Sequence, residues 1–207
     1  TEFVTGLPTS AGEAGGDPSP KTAFGVFVGI EAAVRCKLQR DDLNGLRVAI
    51  QGVGNVGYHL CRLLQEAGAV LTVADIDRQK VQRVCDEFNA TATGVDEILC
   101  CEVEVLAPCA LGATLSEHSI PALNTSIVAG AANNQLATPE DGRRLADADI
   151  LYAPDYVINA GGIINVACEY SGDVDDAGVM ELVTQIGPRL SAIFEESRNT
   201  GRLSSLT

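Results

Sequence analysis

Residues 46–57, LRVAIQGVGNVG, carry an apolar run straight into three glycines spaced G-x-G-x-x-G, and an amphipathic stretch, YHLCRLLQEAG, follows at once. An apolar, β-branched run that stops at glycine and continues at helical spacing predicts strand, tight turn and helix in direct succession. The next apolar run, AVLTVAD, ends at Asp75, 18 positions beyond Gly57. Glycines between a strand and a helix, with an acid closing the next strand, form the dinucleotide-binding fingerprint in its full context. Gly52 permits the tight turn, Gly54 lets backbone reach a pyrophosphate, and Gly57 lets the helix pack on the sheet. Asn55 and Val56 open that helix, whose N-terminal N–H groups and dipole favour phosphate. Asp75 is expected to accept hydrogen bonds from the adenine ribose and to repel a 2′-phosphate, so the cofactor predicted is NAD. The plain alternative is a purely structural glycine turn.

The same alternation continues along the chain. DRQKVQRVCDEF predicts a helix, and VEVLAPCA, SIVAGAAN and ILYAPDYV predict three more short strands, five in all. TPEDGRRLADA predicts a helix with Thr138 as N-cap and Pro139 at its first position. PSPKTAFGVFVGIEAAVRCKL predicts a helix before the first strand, and one long helix is expected at about 176–199. Near-continuously apolar strands alternating with helices predict an α/β fold: a Rossmann-type, doubly wound, mostly parallel sheet with helices on both faces. The expected organisation is a loop-like linker at 1–17, a helix at 18–40, a NAD-binding domain at 41–172 and a C-terminal helix at 173–207. In such sheets ligands bind beyond the carboxyl ends of the strands. Three of those ends carry Cys109 and Ala110, Asn133 and Asn134, and Asn159, which would line one crevice. Asn159 is followed by Gly161 and Gly162 where a helix should begin, a costly choice that implies something approaches the backbone there.

Charge and composition exclude other classes. A net charge of −14 argues against general nucleic-acid binding, which needs a basic face. No apolar run approaches the roughly 20 residues of a membrane span, and no basic-then-apolar leader opens the chain, so a cytoplasmic protein away from membranes is expected. Seven cysteines without a CxxC spacing predict reduced thiols, and with two histidines no metal site is expected. The absence of a G-x-S-x-G elbow argues against a serine hydrolase. Neither His59 nor His118 suits a hydroxy-acid dehydrogenase.

Taken together, VTG, PSPKTAFGV, IQGVGNVGYHLCRLL, APCALG, NNQL and YAPDYVINAGGIINVA resemble the Glu/Leu/Phe/Val amino-acid dehydrogenases, and within them the leucine branch. The resemblance implies oxidative deamination: an L-amino acid, leucine or another branched-chain one, gives its α-hydride to NAD, and a 2-oxo acid and ammonia result. Phenylalanine or valine would be the alternative substrates, and a non-catalytic NAD-binding module the alternative of another class. The resemblance further implies that Asn159 faces the amino acid near the nicotinamide, with the following glycines letting backbone approach that site. It also implies that Thr22 contacts the carboxamide, that Cys109 and Ala110 pass along the cofactor, and that Asn134 lies in the nicotinamide region. The family's catalytic lysines belong to an N-terminal domain that these residues do not match. Lys21, Lys37 and Lys80 are expected to be solvated surface, so no catalytic residue is assigned in this chain. A lysine-bearing N-terminal domain in the whole protein, and homo-oligomerisation of it, follow from the same resemblance, which also makes 1–17 a linker from that domain, 18–40 an interdomain helix and 173–207 a truncated helix.

Overall fold

A computed structural model describes residues 16–206; VTG and nearly all of the expected linker lie outside them. Helix α1 (Ser19–Leu38) precedes β1 (Arg47–Gln51), α2 (Asn55–Glu66), β2 (Val70–Ala74), α3 (Arg78–Phe88) and β3 (Thr91–Ala92). Then come β4 (Val105–Pro108), β5 (Ile127–Val128), α4 (Pro139–Asp147), β6 (Leu151–Tyr152), α5 (Asp155–Ile158), α6 (Gly161–Ser171), α7 (Asp176–Thr184) and α8 (Ile186–Thr200). The strands form one sheet in the order β3-β2-β1-β4-β5-β6, and every pair is parallel. That order reverses direction between β1 and β4, the crevice where doubly wound folds bind ligands.

Successive side chains of a strand point to opposite faces, and both faces here are buried. Val48 and Ile50 enter one core with Val34 of α1, Leu60 and Leu64 of α2 and Leu190 and Phe194 of α8. Ala49 enters the other, with Leu106, Ile98, Leu115 and Leu145 of α4. No described helix is long and apolar enough to cross a membrane.

Three sequence expectations need correction. A sixth strand, β3, sits at the sheet edge, where two exposed residues give no apolar signal. The helix expected at 176–199 is two helices meeting at Gln185. Pro188 lacks an N–H and its ring crowds the carbonyl four residues back, at Thr184, where α7 stops. The short helix α5 arises inside ILYAPDYV, whose strand is only Leu151–Tyr152. Thr138 and Pro139 do begin α4: the buried Asp141 carboxylate reaches back to the Thr138 N–H at 2.8 Å and its hydroxyl at 2.9 Å.

A candidate dinucleotide cleft at the carboxyl edge of the sheet

The three glycines of the turn are there for different reasons. Gly52 has φ +97°, and a Cβ on it would lie 2.8 Å from the Ala110 nitrogen. A Cβ on Gly57 would collide with the Gly52 carbonyl oxygen, so only glycine lets α2 start this close to β1. Gly54 is unlike both. Its backbone is extended, with φ −65° and ψ −161°, and among the described residues nothing lies within 4 Å of where its Cβ would be. The described residues give no steric reason for glycine there. Moreover, α2 begins with no side-chain cap and no acid in its first turn. Its first N–H groups and positive dipole end are left for something else.

Asp75 follows β2 and ties the turn down. One carboxylate oxygen accepts from the Val53 N–H at 2.8 Å, the other from the Asp77 N–H at 2.9 Å. A carboxylate has about four acceptor positions, so each oxygen keeps capacity for a hydroxyl. Asn55 and Val56 occupy the first turn of α2 as expected. Beside them opens a cleft of about 310 Å³ whose lining includes Val53, Gly54, Asn55, His59, Lys80 and Arg83.

The remaining strand ends converge on the same edge. The Cys109 N–H donates to the Gln51 carbonyl at 2.7 Å, and Ala110 underlies Gly52. Burial pushes the Cys109 thiol up to about 11, so it stays protonated and is no nucleophile near neutral pH. Asn134 adopts φ +50° and its carbonyl accepts from the Ala113 N–H at 2.6 Å. Asn159 donates from Nδ2 to the Asn133 Oδ1 at 2.6 Å, joining the loops after β5 and β6. Sequence reading passed over Gln135, which is fully buried. Its amide group donates to the Gly130 and Ala132 carbonyls, and its own N–H donates to Asp155 at 3.0 Å. This second tie holds the rim loops together. The only signal for it was a glutamine inside an otherwise apolar QLA stretch.

What approaches Gly161 and Gly162 is the first turn of α1. A Cβ on Gly161 would collide with the Lys21 carbonyl oxygen and sit 3.1 Å from the Thr22 Cα; one on Gly162 would sit 2.6 Å from the Thr22 Oγ1. Their absent side chains let α6 dock on α1, a packing reason for glycine at both positions. The docking brings Thr22, whose hydroxyl donates to the Pro18 carbonyl at 3.0 Å, to the end of the chain segment that holds Asn159.

None of the lysines is a free base at this edge. Lys21 pairs with Asp176 at 2.7 Å, Lys37 with Asp149 at 2.6 Å and Lys80 with Asp77 at 3.8 Å. Lys21 departs from the expected solvated surface, being only 12% exposed and turned onto α7. Among the described residues no group of three His, Cys, Asp or Glu side chains is placed to hold a metal.

Comparison with known proteins agrees with this geometry. A family model described as Glutamate/Leucine/Phenylalanine/Valine dehydrogenase matches residues 17–77 and 71–195. The chain is 49% identical to leucine dehydrogenase of Bacillus subtilis (strain 168) over 201 residues, 97% of this chain and 55% of that protein. It is 46% identical to L-tryptophan dehydrogenase of Nostoc punctiforme over 202 residues, 97% of this chain and 56% of that one. The crystal structure of the Nostoc enzyme superposes with a TM-score of 0.89, covering 91% of this chain and 57% of that chain. The chain thus spans about half the length of the curated relatives it matches. Sequence, sheet order and the unexplained openness at Gly54 lead to one assignment: the chain belongs to the Glutamate/Leucine/Phenylalanine/Valine dehydrogenase family.

Proposed function

We propose that this chain is the NAD-binding part of a cytoplasmic L-amino-acid dehydrogenase that deaminates leucine or another branched-chain amino acid to its 2-oxo acid and ammonia. The observation that carries the reading is the open backbone at Gly54 leading into the uncapped start of α2. When bound there, NAD supplies the hydride acceptor. The chain's residues bind and orient. First-turn N–H groups of α2, at Asn55 and Val56, hold the phosphates. Asp75 holds the ribose hydroxyls while fixing the turn through Val53. Cys109 and Ala110 flank the cofactor. Asn134, Thr22 and Asn159 turn polar groups toward the nicotinamide and the amino acid, with Asn159 oriented by Asn133. In this reading 18–40 is the interdomain helix, 41–172 the cofactor domain and 173–207 the segment leading back toward the other half. That other half supplies the lysines, and the whole protein is a homo-oligomer. The leucine assignment follows the several leucine dehydrogenases among the relatives; phenylalanine is the alternative, one relative being a phenylalanine dehydrogenase.

Calorimetric titration with NAD and NADP tests the cofactor assignment. A 2′-phosphate about 4 Å from the Asp75 carboxylate costs roughly 1–4 kcal/mol at effective dielectrics of 80 to 20. NAD should therefore bind more tightly by about fivefold or more, and Asp75→Asn should narrow the gap. Equal or tighter NADP binding by the unaltered chain would rule the assignment out.

A further inference from the structure

The cleft beside the glycine turn has side-chain walls as well as a backbone floor. Arg83 and Lys80 come from α3 and His59 from α2, with Tyr58 between them. Arg83 is held in place. Its Cζ lies 4.1 Å from the centre of the Tyr58 ring, and its Nε donates to Glu87 at 2.9 Å. The Tyr58 hydroxyl donates to the other Glu87 oxygen at 2.5 Å, and the ring packs on Phe88 with centroids 5.1 Å apart. Glu87 is thus engaged by both neighbours, and among the described residues no second carboxylate pairs with Arg83. A guanidinium fixed over an aromatic face presents its remaining N–H groups in one plane, which suits a phosphate.

His59 supplies a second observation. Its ring lies edge-on to Tyr58 at 5.5 Å, and its Nδ1 is buried with no hydrogen-bond partner among the described residues. A buried polar atom left unpaired is costly, which points to a partner supplied from the cleft. Among the described residues lining the cleft, the one carboxylate, Asp17, is engaged at the start of α1, where it accepts from the Ser19 N–H at 2.9 Å. The cleft lining thus carries two cationic side chains, Lys80 and Arg83, each also paired with a carboxylate of its own helix or helix cap, beside an imidazole whose Nδ1 is unpaired.

We propose, resting on the dinucleotide reading above, that Arg83 and His59 grip the cofactor's pyrophosphate beside the glycine turn, and that Tyr58 and Glu87 are positioning residues for Arg83. The test compares ADP-ribose, which has the pyrophosphate, with adenosine, which has none, by calorimetry on the 207-residue chain. His59→Gln and Arg83→Gln should each weaken ADP-ribose binding on the order of tenfold or more, the worth of a charge-assisted hydrogen bond. Adenosine binding and the melting temperature should stay as in the unaltered chain. Tyr58→Leu should weaken ADP-ribose similarly, and Tyr58→Phe, which keeps the ring under Arg83, should restore most of it. If both glutamine variants bind ADP-ribose as tightly as the unaltered chain, backbone alone holds the pyrophosphate and the clamp is refuted. If the unaltered chain binds neither adenosine nor ADP-ribose, the dinucleotide reading falls and the clamp with it.

Discussion

Gly54→Val is expected to leave the chain folded and unable to bind a dinucleotide. The fold should survive because no described residue lies within 4 Å of the new Cβ and the backbone there is already extended, a conformation valine prefers. Binding should not survive, because the side chain would stand over the first turn of α2, where phosphate must meet backbone N–H groups. Losing two charge-assisted hydrogen bonds costs about 3–6 kcal/mol, roughly 10²–10⁴ in affinity. The neighbouring glycine provides a contrast. Gly57→Ala should lower stability outright, since its Cβ meets the Gly52 carbonyl oxygen, and overpacking of this kind costs about 1–3 kcal/mol or more. Melting curves and NADH titrations on the two variants separate these outcomes. A Gly54→Val chain that binds NADH as the unaltered one does would make the turn merely structural.

The second large effect is catalytic. The 207-residue chain is expected to bind cofactor yet form no NADH from leucine, valine, isoleucine or phenylalanine. Proton transfer to or from the reacting amine needs a base in reach of it. Thr22, Asn133, Asn134 and Asn159 have no group that titrates near neutral pH. Burial holds the Cys109 thiol protonated, and burial together with the nearby Asp155 charge raises the Tyr152 phenol well above its usual range. Each lysine is already paired with an aspartate. Positioning between two walls is worth on the order of 7–11 kcal/mol of a barrier, and general acid–base help roughly 10²–10⁴-fold. Both would come from the half of the relatives' length that this chain does not span. Joining a lysine-bearing N-terminal half of a relative in cis should therefore give turnover, monitored through NADH absorbance. Turnover by the chain alone would overturn this division of labour and require a base within it. A preference for phenylalanine in the joined protein would keep the mechanism and change the substrate.

How much of this was legible in the sequence depends on the range of the forces involved. The strand–glycine–helix unit at 46–68 is a local pattern, so its turn and helix read correctly, and Gly68 closes α2 with φ +84° as a C-cap glycine should. Pro188 was legible too, and reading it as a break would have separated α7 from α8. β3 was not legible, because two exposed residues at a sheet edge carry no hydrophobic period. The strand-end asparagines were visible as residue types, but the Asn133–Asn159 hydrogen bond spans 26 positions and no pattern encodes it. Gly161 and Gly162 raised the question of what approaches them, and one answer, helix α1, was not legible. A glycine required by close approach looks the same whether a ligand or another helix approaches, and only packing revealed the first turn of α1. Gly54 runs the other way: the fingerprint gave it a ligand's reason, and packing offers no competing one.

Whether a dinucleotide lies across the carboxyl ends of the strands is decided by titrating NAD into isotopically labelled chain and following the backbone amide resonances. The largest shifts are expected at Gly54, Asn55 and Val56, with further shifts at Asp75, Ala110, Asn134 and Asn159, and little change on the opposite sheet edge around Arg47 and Glu104. Saturating NAD that leaves the 54–56 amides unmoved, or moves a different surface, would contradict that placement.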